Sequence, residues 1–416
     1  MSGRPYTAAR DSAAQTRSAA RTPAAALTGS RPMSLIPAQR HLFDIPGDVA
    51  YLNCAYLGPQ LNASRDRLLA AARAKSHPWE RDAANFFDDA ETIRRLCAGT
   101  FGGDADGYAV VPAVSYAMSA AARAVEPQLR PGDRIVAMAE EFPSNVLPWM
   151  RVAQETGAEF SSVSAPRDGD WTQALLGAID RNVKVVAASP CHWTNGARID
   201  LAAVAQACRT VGAVLAVDAS QGLGAMPLSI SEIEPDFLTA AGYKWLLCPY
   251  GFSVFYVAER WRGARPLEEC WLAREKAEDF AGLVRYSPAY MAGARRFDSG
   301  EKCTALLPGA IAALEQVRAW GVESIAATLA RTNATIAGRL EQLGFRLPAA
   351  AQRCPHMFGA ELPDAARGNL VAELKRQGIH VSQRGNALRI SPHLHVSAHD
   401  VQRLGDALEE WQRAAA

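Results

Sequence analysis

The sequence predicts an α/β fold with a mostly parallel central sheet, helices on both faces, and a smaller α+β domain at the C-terminus. Short apolar runs alternate with helical patterns between residues 108 and 257, which is typical of parallel strands joined by crossover helices. The apolar run 214–217 ends directly on Asp218, and open α/β sheets bind their ligands beyond such strand ends. A chain of 416 residues also has room for a second domain.

Composition excludes several classes of protein. The net charge is +1, so no bulk charge attracts nucleic acid or an anionic membrane, and no apolar run approaches the length of a membrane span. The eight cysteines form no CxxC pair, which favours a reducing cytoplasm and argues against disulfides. His393 and His395 would share one strand face, but no cysteine or carboxylate with ligand spacing joins them, so we expect no metal site.

Domain boundaries follow from composition and element order. Residues 1–32 are rich in Ala, Ser, Thr and Arg, and we expect a disordered extension there, with an alternative natural start at Met33. Residues 60–290 should form the large domain. Residues 33–59 should join 291–416 in the small one.

The individual elements are predicted from apolar periodicity and from helix start and stop signals. Strands are expected at 108–111, 135–139, 183–188, 214–217, 236–241, 252–257 and 379–382, and helices at 64–75, 91–100, 201–210 and 308–321. Ser397 and Asp400 form a capping-box pattern before the last helix, whose apolar face carries Val401, Leu404, Leu408 and Trp411.

In the predicted order of strands, an acid and a lysine follow the ends of two neighbouring strands. Asp218 and Lys244 lie 26 positions apart. Pyridoxal phosphate needs such a pair, because its aldehyde forms a Schiff base with a lysine and its protonated ring nitrogen needs a facing carboxylate. Gln221 could donate to the phenolic oxygen of the ring. The alternative is a strand-end acid with an unrelated surface lysine.

The residues around this pair carry a resemblance. VDASQ, followed by GYKWLLCPYG, resembles the fold-type I pyridoxal-phosphate enzymes of aminotransferase class V, a family that includes cysteine desulfurases, selenocysteine lyases, kynureninases and isopenicillin-N-epimerase-like proteins. The resemblance runs from about Phe43 to the C-terminus. It implies a fold-type I transferase and assigns Lys244 and Asp218 as catalytic residues.

The same resemblance implies further cofactor-binding residues. Val114 and Ser115 would bind the phosphate with their N–H groups, with Ser115 capping the helix that begins there. Phe142, in EFPSN, would stack over the ring. Tyr243 stands where desulfurases have His and kynureninases have Tyr. For each, a purely structural role is the alternative.

Substrate-binding residues are implied at three places. ALRISPH resembles the segment that supplies the arginine for the substrate carboxylate, and Arg389 is the matching position, with Arg384 as its rival. His192 would face the substrate after the strand 183–188, with Thr194 and Asn195 as alternatives.

The N-terminal turn YLNCAYLGP would bring backbone close to the substrate, with Asn53 and Tyr56 as candidates.

The resemblance also implies a homodimer with its active site at the interface. The stretch 293–301 resembles the loop that reaches the partner's phosphate, but Glu301 stands where a threonine is common. Desulfurases that form a persulfide carry a cysteine on the loop matched by 383–388. This chain has none there, and Cys354 is the nearest.

The expected function is a pyridoxal-phosphate enzyme acting on an amino acid. Substrate amine would displace Lys244 from its aldimine, and the freed Lys244 would then deprotonate the α-carbon. Transamination, β-elimination with C–S cleavage and epimerisation all share this first half, as does a kynureninase-like reaction. A non-catalytic protein that retains the fold as a scaffold is the second class of hypothesis.

Overall fold

A computed structural model describes residues 34–80, 85–363 and 369–415, which belong to one compact unit, Ser34–Ala416. The predicted extension 1–32 and the start at Met33 lie outside the described residues. The strands are β1 (Ala50–Tyr51), β2 (Tyr108–Val111), β3 (Arg134–Met138), β4 (Glu159–Val163), β5 (Val183–Ala188), β6 (Val214–Asp218), β7 (Phe237–Ala241), β8 (Ser253–Val257), β9 (Phe358–Glu361), β10 (Ile379–His380), β11 (Ser382–Arg384) and β12 (Ala387–Ile390).

Helices cover both faces of the central sheet and the C-terminal part. They are α1 (Asn62–Ala74), α2 (Asp88–Phe101), α3 (Val114–Val125), α4 (Leu147–Thr156), α5 (Trp171–Ala178), α6 (Leu201–Val211), α7 (Ile230–Ile233), α8 (Leu307–Trp320), α9 (Val322–Gln342), α10 (Leu370–Arg376) and α11 (Ala398–Ala415). No helix in the described part of the chain combines the length and the apolar character needed to cross a bilayer.

The central sheet has the order β2-β8-β7-β6-β5-β3-β4 and is mostly parallel, as predicted. The neighbours from β7 through β6, β5 and β3 to β4 run parallel, while β8 runs antiparallel to both β7 and β2. Successive side chains along each strand point to opposite faces of the sheet and pack into two separate hydrophobic cores. Val136 lies in the cluster with α2, α6 and α8, and its neighbour Ile135 lies in the cluster with α3 and α4.

This sheet gathers three chain segments at one edge. Because β5, β6 and β7 are parallel neighbours, the residues at or just beyond their C-terminal ends lie side by side: Ser189, Asp218 and the Gly242–Lys244 turn. The N-terminal turn closes over this edge, where Gly58 N–H donates to the Tyr243 carbonyl at 2.8 Å. A Cβ on Gly58 would lie 2.1 Å from the Lys244 carbonyl oxygen, so only glycine permits this approach.

The C-terminal part is built on a small antiparallel sheet, β11-β12-β9, whose apolar face packs with α9, α10 and α11. β1 pairs in parallel with β10, so the N-terminal segment joins this part of the chain. The division into a large domain 60–290 and a small domain of 33–59 with 291–416 remains a prediction.

The structure tests three local predictions. The capping box is confirmed: Ser397 N–H donates to Asp400 Oδ2 at 2.9 Å, and Asp400 N–H donates to Ser397 Oγ at 3.2 Å. The cap at Ser115 is wrong, because α3 already begins at Val114 and the extended residue before it is Ala113, whose side chain makes no cap hydrogen bond. The predicted strand 379–382 is divided into β10 and β11.

Candidate active site

A cavity of about 250 Å³ opens at the C-terminal edge of β5, β6 and β7. Its walls come from the strand ends, from the first turn of α3 and from the loops after β3 and β7. The lining residues are Pro112, Ala113, Val114, Ser115, Glu141, Phe142, Ser144, Ser189, Cys191, Trp193, Asp218, Ser220, Gln221, Ala241, Tyr243, Lys244, Tyr250 and Gly251.

Lys244 and Asp218, predicted from the sequence, both line this cavity and are both buried. Ser220 N–H donates to Asp218 Oδ1 at 2.9 Å. Burial raises the pKa of Asp218, against the opposing effects of the Ser220 hydrogen bond and the Lys244 charge. Burial lowers the pKa of Lys244 to about 8, although the Asp218 carboxylate opposes this shift. The pair therefore combines a readily deprotonated amine with a carboxylate.

Aromatic rings surround the lysine nitrogen. The Phe142 ring centroid lies 5.4 Å from Lys244 Nζ, and the Tyr243 centroid lies 6.0 Å from it. Tyr243 packs on Tyr250 at 4.4 Å between centroids. Phe142 meets Trp193 edge to face at 5.6 Å. A flat ring bound at Lys244 would therefore meet aromatic surface on the Phe142 side.

The first turn of α3 points into the same cavity. Val114 and Ser115 line it, and their N–H groups have no acceptor inside the helix because they belong to its first turn. Such free N–H groups, at the positive end of a helix, bind phosphate well. Val114 and Ser115, which the sequence predicted as phosphate-binding residues, thus line the same cavity as Lys244, although Ser115 does not cap the helix.

Gln221 lines the cavity, but its amide is already used. Its Nε2 donates to the Ala55 carbonyl at 3.0 Å, and its Oε1 accepts from Trp245 Nε1 at 2.9 Å. An amide nitrogen has two donor hydrogens, so one remains for a ligand. The structure therefore gives Gln221 a joining role between the N-terminal turn and Trp245 besides the predicted contact.

Arg389 is buried at 1% exposure on β12, and its neighbours Leu388 and Ile390 pack into the C-terminal core. Its Nε donates to Ser382 Oγ at 3.1 Å and its Nη1 donates to the Trp193 carbonyl at 2.8 Å. Nη2 is buried and has no hydrogen-bond partner among the described residues. A buried, unpaired guanidinium nitrogen is a donor suited to an anionic ligand.

Asn53 and Arg384 lie near Arg389. Asn53 forms a parallel bridge with Ser391, two residues beyond Arg389, and its Oδ1 is also buried without a partner in the described part of the chain. The Arg384 guanidinium stands 5.6 Å from the Trp193 ring centroid, and its Nη1 donates to the adjacent Gln383 carbonyl. None of Asn53, Arg384 and Arg389 is among the residues that line the cavity containing Lys244. Tyr56 is exposed outside it.

His192 is not where the sequence predicted it. Its ring is buried and stacks on Trp171 at 4.9 Å, with Nδ1 2.8 Å from Thr194 Oγ1 and Nε2 3.2 Å from the Ala139 carbonyl oxygen. The cavity is instead lined by the residues on either side of His192, which are Cys191 and Trp193. Trp193 Nε1 donates to the Glu140 carbonyl at 2.7 Å, which turns the indole toward the cavity while His192 faces the core.

Sequence reasoning also missed Glu141, Ser189 and Cys191. Ser189 follows β5 directly, so its place at a strand end was a usable signal. Glu141 directly precedes the predicted Phe142. Cys191 carried no signal among eight scattered cysteines. Burial raises the pKa of the Cys191 thiol, and the neighbouring Cys354 raises it further, so this thiol stays protonated.

Two other predicted features lie elsewhere. Glu301 is exposed and accepts a hydrogen bond from Trp271 Nε1 at 3.2 Å. His393 and His395 stack 6.5 Å apart in the interior. Within the described ranges no group of three or more His, Cys, Asp or Glu side chains is arranged to bind a metal ion.

Comparison with known proteins places this geometry in context. Residues 71–405 match the family model described as aminotransferase class-V. A probable cysteine desulfurase of Pyrococcus abyssi is 26% identical over 167 residues, which are 40% of this chain and 42% of that protein. An uncharacterized aminotransferase of Bacillus subtilis is 25% identical over 319 residues, 76% of this chain and 82% of the relative.

Solved structures show the same fold. The apo structure of a cysteine desulfurase from Thermococcus onnurineus superimposes with a TM-score of 0.80 at 17% identity, covering 92% of this chain and 100% of that one. This chain matches less than half of the length of the Pyrococcus abyssi relative, whereas the superposition on the Thermococcus onnurineus structure spans nearly all of both chains.

Proposed function

We propose, on the premise that this chain belongs to the aminotransferase class V family of pyridoxal-phosphate-dependent enzymes, that it acts on an amino acid and deprotonates its α-carbon with Lys244. The observation that carries the proposal is the buried lysine beside a buried carboxylate. Lys244 and Asp218 share one cavity with an aromatic ring and a helix N-terminus.

The residues present fit the cofactor. Lys244 is the amine for its aldehyde, Asp218 is the carboxylate for its ring nitrogen, and the first turn of α3 supplies N–H groups for its phosphate. Phe142 covers the ring position from one side. Pyridoxal phosphate, when bound, supplies an electron sink for the charge left on the α-carbon.

Each residue has a task in this proposal. Lys244 Nζ takes the proton from the α-carbon, and its lowered pKa makes the neutral amine available near pH 8. Asp218 holds the proton on the ring nitrogen. Arg389 Nη2, the buried donor without a partner, binds the substrate carboxylate and so orients the Cα–H bond. Asn53 bridges Ser391, two residues beyond this arginine, and its buried Oδ1 has no hydrogen-bond partner among the described residues.

Two reactions remain as outcomes of a product screen. Named relatives include cysteine desulfurases and an aminotransferase, so we infer transamination or C–S β-elimination, with epimerisation and a kynureninase-like reaction as alternatives. A panel of amino acids and cysteine conjugates, assayed for keto acid, sulfide and ammonia, separates these reactions. If the cofactor binds but no member of the panel gives a product, a non-catalytic scaffold is favoured.

The test of the lysine compares Lys244→Ala with Lys375→Ala, a lysine exposed on α10. Lys244→Ala should lose the visible absorbance of lysine-linked cofactor and all turnover, because no other amine replaces Nζ. Lys375→Ala should keep both. Circular dichroism should be alike for the two variants. Turnover by Lys244→Ala at the level of the control would refute the assignment.

We further infer that the enzyme is a cytoplasmic homodimer. Tyr250 lines the cavity and is 71% exposed, and Tyr56, Leu147 and Met150 are exposed too. Uncovered aromatic and apolar side chains of this kind favour a partner surface. All eight cysteines lie in the described part of the chain as free thiols, which suits a reducing compartment. Light scattering at micromolar concentration should give the mass of two chains.

A further inference from the structure

Two carboxyl groups line the cavity, and the proposed function uses only that of Asp218. The second, Glu141, is 7% exposed and follows a residue with unusual backbone geometry. Glu140 has φ of 55°, a left-handed conformation that non-glycine residues seldom adopt and that clusters at functional sites. This residue lies between the end of β3 and Glu141, so the strained turn is where the chain leaves the strand for the cavity.

The Glu141 carboxyl is held on both of its oxygens. Oε1 accepts the Phe142 N–H at 2.7 Å, and Oε2 forms a short hydrogen bond with the Ser189 hydroxyl. The Asn145 side chain also lowers the pKa of this carboxyl. In the described ranges no lysine, arginine or histidine forms an ion pair with Glu141 within 4.0 Å. The group is thus fixed by neutral donors and has no counter-ion in direct contact.

The charged and titratable groups that face Glu141 come from three neighbouring segments. They are Asp218 at the end of β6, Lys244 after β7 and Cys191 after β5. The first turn of α3, also in the wall, contributes no charged side chain. Burial and then the Asp218 charge together raise the pKa of Glu141 to about 7, and the Ser189 hydrogen bond opposes this shift.

We propose that Glu141 is a positioning residue whose carboxyl holds the backbone of Phe142 and whose protonation state tunes Lys244. Below neutral pH the group is a neutral acid and the cavity contains one carboxylate. Above neutral pH it ionises and adds a second negative charge near the lysine nitrogen, which favours the protonated nitrogen. Glu141 therefore couples the position of the aromatic wall to the charge of the cavity.

The first test uses the apoprotein and does not depend on the proposed function. Infrared difference spectra between about pH 5 and about pH 9 should contain a carboxyl C=O band that disappears with a midpoint near pH 7. Glu141→Gln should remove this component. Glu140→Gln, an identical change at the adjacent exposed residue, should keep it. Persistence of the band in Glu141→Gln would overturn the proposal.

A second variant guards against a folding defect in the first. Ser189→Ala keeps Glu141 and removes the hydroxyl that stabilises its ionised form, so the midpoint should move to higher pH. An unchanged midpoint, or one at lower pH, contradicts the proposed hydrogen bond.

The holoenzyme gives the readout that rests on the proposed function. The visible absorbance of bound cofactor should titrate at lower pH in Glu141→Gln than in wild type, by on the order of one pH unit, because a nearby negative charge is lost. Glu140→Gln should match wild type. An equal midpoint in all three proteins refutes the tuning role alone. Absence of any lysine-linked cofactor in wild type refutes the proposed function instead.

Discussion

Replacing Arg389 by Lys tests the carboxylate-binding role with the least change in charge. The guanidinium uses Nε and Nη1 for Ser382 Oγ and the Trp193 carbonyl, which fixes the orientation of Nη2. A lysine ammonium keeps the charge, but it has no planar fork to make those two bonds and present a third donor. We therefore expect a substrate-binding defect without a change in the resting enzyme.

The magnitude follows from the hydrogen bonds lost. A hydrogen bond to a charged group contributes about 1.5–3 kcal/mol. Loss of one such bond to the substrate carboxylate corresponds to a KM increase of roughly 10- to 150-fold at unchanged kcat. Binding of the decarboxylated amine should change less than threefold (~0.6 kcal/mol), because it lacks the group that Arg389 binds.

Steady-state kinetics with the best amino acid from the panel and its matching amine measure both effects. Arg384→Lys is the control, since Arg384 is half-buried and its Nη1 donates to its own neighbour. The visible spectrum without substrate should be normal in both variants. A wild-type KM for Arg389→Lys, together with a raised KM for Arg384→Lys, would refute the reasoning and transfer the role to Arg384.

Three more predictions address the electron sink, the cavity thiol and pH. Asp218→Asn should lower kcat/KM about 100- to 1000-fold, the scale of losing one key electrostatic contact, and a rate within threefold of wild type contradicts its role. Incubation with cysteine followed by persulfide trapping should label neither Cys191 nor the loop 383–388. Burial raises the pKa of Cys191, and the loop contains no cysteine. A labelled peptide from either place would contradict this prediction. Burial lowers the pKa values of His356 and His395 to about 4 and that of His393 to about 3. As pH falls below about 6.5, these histidines take up protons in the unfolded chain before they do so in the folded one. Each histidine should therefore lower the free energy of unfolding by about 2 kcal/mol between pH 7 and pH 5. Urea unfolding of the apoprotein at the two pH values measures this loss, and equal stability contradicts it.

Buried strands were the most predictable part of the fold. The runs 108–111 and 183–188 match β2 and β5 because strands that are buried on both faces of a sheet are mainly apolar, whatever their direction, so burial alone marks them. The antiparallel direction of β8 has no such signal. Direction depends on the short connection after β7, and the turn residues around Pro249 show only that the chain bends.

The predictable site residues were those whose chemistry and strand position agree. Asp218 and Lys244 are ionisable residues that follow apolar runs, and this pattern can be recognised from the sequence alone. Trp193 was missed because its orientation depends on a hydrogen bond to the Glu140 carbonyl, 53 residues away. His192 was assigned to the substrate for its chemistry, whereas stacking on Trp171 draws it into the core.

Glu141 and Gln221 show a different limit of sequence reasoning. In the sequence, Glu140 and Glu141 look like two adjacent surface acids. The left-handed backbone at Glu140 turns them apart, so that Glu140 is exposed and Glu141 is buried. Gln221 lines the cavity, but its bonds to Ala55 and Trp245 require the N-terminal turn to fold back across the sheet edge. Long-range packing of this kind leaves no local pattern.

The central claim is that Lys244 carries the cofactor, and one measurement tests it directly. Wild-type protein incubated with pyridoxal phosphate and reduced with borohydride is digested, and the modified peptide is identified by mass spectrometry. We predict a single stoichiometric adduct on Lys244, absent from Lys244→Ala. An adduct spread over exposed lysines such as Lys375, with Lys244 unmodified, would contradict the account.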